Sequence, residues 1–244
     1  MIDNKLKSDF AEICGIHAGD GWLSSYTYEV GYGTSPKEEQ YFQEVLRLYH
    51  KVFRIDKVRI LRRLAVEFRF QSKATQEILM SAGFPRGRKL DKLHTPDFIF
   101  QQEEYIKRFL RGLIDTDGNA YWRPNVNRYN LTITWSTTSQ QLADEIVRML
   151  RNLGYNPQIS VLKPKPVDGH IRRVMYKTIL MRHAEVKKFL EEIGFRNNTR
   201  WFQVMKMPKE LERYHLGKIN EPARIRTGDL LPVKEPYASC GNGP

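Results

Sequence analysis

Apolar residues recur along the chain at two spacings, and the switches between them predict its elements. A spacing of three to four marks helices in "EVLRLYHKVF" (Glu44 to Phe53), "EILMSAGF" (Glu77 to Phe84), "EIVRMLRNLGY" (Glu145 to Tyr155) and "KKFLEEIGF" (Lys187 to Phe195). A spacing of two marks strands. In "YNLTITWSTT", Leu131, Ile133 and Trp135 share one face, and Thr132, Thr134 and Ser136 share the other. Further strand pairs are expected in "WLSSYTYEVGYGTS" (Trp22 to Ser35), in "KVRILRRLAVEFRFQS" (Lys57 to Ser72) and in "QISVLKPKPVDGHIRRVMYKTIL" (Gln158 to Leu180), where Asp168-Gly169 signals a turn.

The same order of elements occurs twice. "EICGIHAGDG" (Glu12 to Gly21) matches "FLRGLIDTDG" (Phe109 to Gly118) at an offset of 97. The helices at Glu44 to Phe53 and Glu145 to Tyr155 match at 101, and Gly83-Phe84 matches Gly194-Phe195 at 111, as connections lengthen in the second copy. Each copy predicts a helix, a strand pair, a helix, a second strand pair and a final helix. The expectation is an α+β fold of two pseudo-twofold-related αββαββα repeats, at residues 1–97 and 98–217. A Pro- and Gly-rich tail, 218–244, has no counterpart in the repeat.

The first helix of each copy ends in an acid. Asp9 reads as an N-cap and Glu12 as its capping-box partner, a comfortable start. Asp20 and Asp117 sit where the helix dipole is negative, a placement that costs roughly 0.3–1 kcal/mol each, and Gly21 and Gly118 suit a left-handed cap. Acids in the same uncomfortable place in both copies ask for a cation. Gly15 and Gly19 in one helix, and Gly112 and Thr116 in the other, are small residues four apart on one face, so the two backbones can approach closely. Side-by-side packing brings Asp20 and Asp117 together. With nearby carbonyls, those of Gly19 and Thr116, they form a hard oxygen site suited to Mg²⁺.

Charge points to the partner. The 244 residues carry a formal net charge of +12, spread along the chain, which favours a polyanion and nucleic acid in particular. Nine basic residues fall between Arg47 and Lys73 against two acids, Asp56 and Glu67. Arg59, Arg63, Arg69 and Gln71 share one strand parity, while Ile60, Leu64, Val66 and Phe68 share the other, so one face grips core and the other faces DNA. Arg123, Arg128, Lys163, Lys165, Arg172 and Arg173 are the second-half candidates, with Tyr26 and Tyr28 as aromatic candidates from the first strand pair. Metal beside a basic surface is the chemistry of phosphodiester hydrolysis. The two cysteines, Cys14 and Cys240, do not make a disulfide framework. No targeting signal and no membrane-length apolar run is present, so a cytoplasmic protein without a membrane partner is expected.

"LRGLIDTDG" (Leu110 to Gly118) resembles the LAGLIDADG motif with two changes, Arg111 and Thr116, and "ICGIHAGDG" (Ile13 to Gly21) is a more divergent copy. The resemblance covers roughly residues 9 to 205 and implies a two-motif, monomeric, intron-encoded homing endonuclease. It implies paired motif helices at the repeat interface and a saddle of antiparallel strands on DNA. Asp20 and Asp117 would be the catalytic, metal-binding acids acting on opposite strands of a long double-stranded target, leaving 3′ overhangs. Mg²⁺ would be the cofactor, with Mn²⁺ substituting and Ca²⁺ supporting binding without cleavage. The family also places a basic or glutamine residue near each metal, for which Lys73 is the first-half candidate and Arg182 or His183 the second. Asp115, present only in the second copy, reads as a structural or capping acid, and His17 as a packed one. An EF-hand reading of "DTDGN" fails for want of the later acidic ligands. Met1 and Gly243-Pro244 show no splicing residues, which favours an intron over an intein setting. The alternatives are an RNA maturase acting on its own intron RNA, and a DNA-binding protein with a dead site.

Overall fold

A computed structural model describes residues 2–125, 128–163, 166–167, 170–171 and 173–206. The first half runs α1 (Lys7–Gly19), β1 (Gly21–Leu23), β2 (Glu29–Thr34), α2 (Glu39–Phe53), β3 (Arg59–Arg62), β4 (Val66–Gln71) and α3 (Lys73–Ser81). The second runs α4 (Glu103–Thr116), β5 (Gly118–Asn125), β6 (Arg128–Thr137), α5 (Gln140–Asn152), β7 (Gln158–Leu162), β8 (Pro166–Val167), β9 (His170–Ile171), β10 (Met175–Leu180), α6 (His183–Glu192) and α7 (Asn198–Met205). The two four-stranded antiparallel sheets have the same topology, β1-β2-β4-β3 and β5-β6-β10-β7. The second copy has longer first strands, β5 and β6, and adds the β8-β9 pair between β7 and β10, and together these lengthen its connections. The tail and the Asp168-Gly169 turn lie outside the described residues.

Local sequence sets the ends of these elements. Ser72 and Ser139 cap α3 and α5, their hydroxyls accepting from Thr75 N (3.1 Å) and Leu142 N (3.2 Å). Gly83 and Gly194 follow α3 and α6 at φ +93° and +61°, a conformation that disfavours any side chain. Periodicity then builds one continuous core. Tyr32, Phe42, Tyr49 and Phe68 fill the first half, with Trp135, Ile146, Leu150 and Phe189 in the second.

The seam between halves is the pair α1 and α4. A Cβ at Gly15 would stand 2.1 Å from Phe109 O, and one at Gly112 would stand 2.3 Å from Glu12 O, so each glycine admits the other helix's backbone. Gly19 admits the Thr116 side chain in the same way, a Cβ there meeting Oγ1 at 2.1 Å.

Four local expectations are corrected. Asp9 and Glu12 do not open α1: the helix begins at Lys7 behind a 3₁₀ turn that Asp3 caps. Glu12 is instead fully buried and held by Arg108 (2.7 Å) and Arg196 (2.7 Å), while Asp9 pairs with Lys51 (2.5 Å). Gly21 and Gly118 are not left-handed caps; they start β1 and β5, where a Cβ would strike His17 Nδ1 at 2.3 Å and Ile114 O at 2.5 Å. Leu64 is 99% exposed because it stands at the β3-β4 hairpin tip, where strand parity stops. Tyr26, at 96% exposure, lies on the β1-β2 loop rather than on a strand, and Tyr28 is also exposed.

Candidate functional site

Close packing of α1 on α4 brings their C-terminal ends together. Asp20 and Asp117 are the C-cap residues, their backbone N–H groups donating to Ile16 O and Leu113 O at 3.0 Å each. Their carboxylates are close enough to interact, and a Cβ on Gly19 would stand 3.4 Å from Asp117 Cγ. Burial pushes Asp20 up to about 6, with the Asp117 charge adding to it and Lys89 opposing. Asp117 is also raised, mainly by burial, against the pull of Lys89 and Arg200.

Two bases serve these helix ends. Lys89 Nζ donates to the carbonyls of His17 (3.0 Å), Ala18 (2.9 Å) and Gly19, the last residues of α1. Arg200 Nη2 donates to Thr116 O (2.8 Å) at the end of α4. Burial lowers the Lys89 ammonium to about 8, the two aspartates opposing that fall. Lys89 and Arg200 stand 111 residues apart, the offset already seen at Gly83 and Gly194. They are the last residues of "GFPRGRK" and "GFRNNTR", so extending that alignment to its final column would have found them.

Lys73, by contrast, opens α3 with its side chain 65% exposed, 3.9 Å from Glu77 and 5.8 Å from the Tyr28 ring centroid. Arg182 and His183 stand exposed at the start of α6, with Arg182 3.6 Å from Glu185. None of the three is bonded to the motif ends.

Asp115 and α7 hold Arg200 in place. Asp115 is buried and accepts from the backbone of Arg196 (2.9 Å) and Asn197 (3.2 Å). Asn197 Nδ2 donates to Asp115 O (3.1 Å) and to Glu38 Oε1 (2.9 Å), and its Oδ1 caps α7 by accepting from Thr199 N (3.0 Å). Burial pushes Asp115 up to about 7 despite its two backbone donors. His17 is packed, its Nδ1 3.1 Å from Tyr49 OH and its ring edge-on to Phe84.

The strand candidates divide. Arg59 and Arg69 are register partners on one face, and Gln71 follows two residues on. Arg63 is exposed in the hairpin turn. Arg123, Lys163 and Arg173 are exposed; Arg128 begins β6, and Lys165 and Arg172 lie outside the described residues.

The donors at the motif ends fit a hard cation. Both side chains are carboxylates, and the helix-end carbonyls already hold an ammonium and a guanidinium, so the field there selects positive charge. Among the described residues no group of three or more His, Cys, Asp or Glu side chains forms a metal cage. Among the described residues no helix is long and apolar enough to cross a membrane.

Comparison with known proteins agrees with this geometry. Residues 104–194 match the LAGLIDADG-like domain family. The chain is 27% identical over 203 residues to the replication factor C small subunit of Thermococcus kodakarensis, covering 82% of this chain and 21% of that protein. It is 24% identical over 139 residues to the tRNA-splicing ligase RtcB of Methanopyrus kandleri, covering 54% and 14%. The chain thus spans about a fifth or less of the length of these relatives. Among solved structures, the homing endonuclease I-WcaI bound to its DNA recognition sequence superimposes with a TM-score of 0.54 at 13% identity, covering 81% of this chain and 86% of that one. Full-length WhiA from Thermotoga maritima gives 0.51 at 12% identity, covering 91% and 65%. Residues 104–194 are thus similar to the LAGLIDADG-like domain, and the fold is the one seen in solved LAGLIDADG homing endonucleases.

Proposed function

We propose that this protein is a site-specific, metal-dependent endonuclease that cuts both strands of a long, partly palindromic DNA duplex and leaves 3′ overhangs, acting as a monomer. One observation carries the reading: Asp20 and Asp117 stand side by side at the ends of closely packed helices, and each end is served by its own base, Lys89 or Arg200. Asp20 and Asp117 would hold Mg²⁺, and the carbonyls of Gly19 and Thr116 would join them once Lys89 and Arg200, which bond them here, turn to the phosphates. Bound magnesium supplies an acidified water and positive charge for the leaving oxygen. Lys89 Nζ and the Arg200 guanidinium would then face the scissile phosphates and offset the charge that builds on them. Two acids and two bases, one of each per repeat, match one cut on each strand.

A second reading is binding without cleavage. Two carboxylates placed against a polyanion disfavour it, since a pure binder gains nothing from them. The likeness of this chain to a minor part of a replication factor and of a ligase supports a mobile module.

The test is selection of duplexes from a random library in Ca²⁺, then Mg²⁺ addition to the selected site in a supercoiled plasmid. The parent should linearise it, and the Asp117→Asn variant should not. Binding without cleavage by the parent would favour the second reading. Binding to intron RNA alone would point to a maturase.

A further inference from the structure

The strand register makes the two halves comparable rung by rung. In the first sheet, Trp22, Gly31, Arg69 and Arg59 form one rung across β1, β2, β4 and β3. Starting from the motif glycines Gly21 and Gly118, the corresponding rung of the second sheet is Asn119, Thr134, Ile179 and Gln158. Two rungs from these, on the far side of the motif glycines, Glu67 corresponds to Lys177. The two saddles therefore present different chemistry at equal positions.

Arg69 is held on three sides. Its Nε and Nη2 donate to one oxygen of Glu67 at 3.1 and 2.7 Å, and its Nη1 stands 3.8 Å from Glu29. Its guanidinium carbon lies 5.1 Å from the centroid of Trp22. The indole lies on the backbone of Gly31, where a Cβ would fall 2.3 Å from its Cζ2. Glu67 leans across Gly33 in the same manner, its Cγ 2.8 Å from where a Cβ would be. Glu29, at 3.8 Å, is too far from Nη1 for a hydrogen bond, so a guanidinium clamped through Nε and Nη2 keeps the remaining N–H groups of its Nη1–Nη2 edge for a second partner. That edge matches the O6 and N7 acceptors of guanine in the major groove, and immobilising the side chain beforehand removes an ordering cost from recognition. Two carboxylates beside it repel phosphates, so this spot on a basic protein suits base edges over backbone.

We propose that Arg69, positioned by Glu67 and Trp22, specifies a single guanine in the first half of the DNA target, and that the mirror position in the second half, read from Ile179, is not so specified. This rests on the DNA-binding reading above and goes beyond it in naming the base, the reader and its positioning residues.

The test uses the full chain and a random duplex library in Ca²⁺, sequencing the bound DNA for the parent, Arg69→Ala, Arg69→Lys and Glu67→Gln. The parent should show one G·C pair in one half-site with no counterpart at the mirror position. Arg69→Ala should lower the preference for that pair tenfold or more and leave other positions unchanged. Arg69→Lys should not restore it, and the near-isosteric Glu67→Gln should weaken it several-fold with the unfolding midpoint unchanged. A uniform loss of affinity across all positions would make Arg69 a phosphate contact and overturn the proposal. Unchanged base preferences in Arg69→Ala and Glu67→Gln would reduce the cluster to a surface ion pair. Failure of the parent to enrich any duplex would instead defeat the DNA-binding reading itself.

Discussion

Lys89 and Arg200 perform one task at two helix ends: Lys89 donates to the final carbonyls of α1, and Arg200 donates to the last carbonyl of α4. They come from loops and helices of opposite halves, 111 residues apart. Their symmetry makes the site a pair of half-sites, each an acid with its own base.

Replacing either base tests that division. Lys89→Met and Arg200→Met should each lower cleavage by about two to three orders of magnitude, the scale of removing one preorganised charge from a transition state. Binding in Ca²⁺ should change little. Lys73→Ala, which removes an exposed partner of Glu77, should leave cleavage within about twofold. Plasmid-cleavage rates for the three variants decide it.

Ionisation of Asp20 should work against folding when no metal is bound. Its folded value, about 6, lies above its ordinary value of 3.8, so the native state holds the proton more tightly than the unfolded chain does. The associated stability is present below the ordinary value and is lost as pH rises through about 6. Asp20→Asn should therefore stabilise the protein at pH 7.5 by up to about 3 kcal/mol, and the gain should vanish toward pH 4. Urea unfolding in EDTA across that range measures it, while Mg²⁺-dependent cleavage by the same variant should be lost.

The helix seam leaves no room for a methyl group. Gly15→Ala and Gly112→Ala place a Cβ within 2.1 and 2.3 Å of opposing backbone oxygens, which cannot rotate away. Each should destabilise the fold by about 3 kcal/mol or more. At Gly33 the obstacle is the flexible Glu67 side chain, so Gly33→Ala should cost below about 1 kcal/mol. Denaturant midpoints compare the three directly.

Asp115 anchors the turn that delivers Arg200. Asp115→Ala would leave the Arg196 and Asn197 N–H groups without their acceptors, at a cost of about 2–4 kcal/mol. Asp115→Asn keeps one acceptor oxygen and should lose roughly half as much. Thermal unfolding of both variants, with cleavage assayed well below their midpoints, checks the order.

The repeated elements, the glycine seam and the acid ending each motif helix were all legible in the sequence, because each depends on neighbours within a few residues. Period-two and period-four patterns set strands and helices, and small residues four apart declare a close helix contact before any partner is known. Packing decided the rest. Glu12 has the spacing of a capping acid after Asp9, yet Arg108 and Arg196, 96 and 184 residues away, make it the buried hub of an ion cluster. Lys73 and Lys89 look alike as single lysines; only the path of the loop after α3 carries Lys89 to the end of α1. Arg69 reads as one basic strand residue among several, and only the register reveals that Trp22 and Glu67 hold it while Asn119 and Lys177 stand at the positions of that pair in the other half. Sequence spacing fixes direction within an element, but which distant charge meets which is decided by how close the backbones come, and here two glycines set that distance.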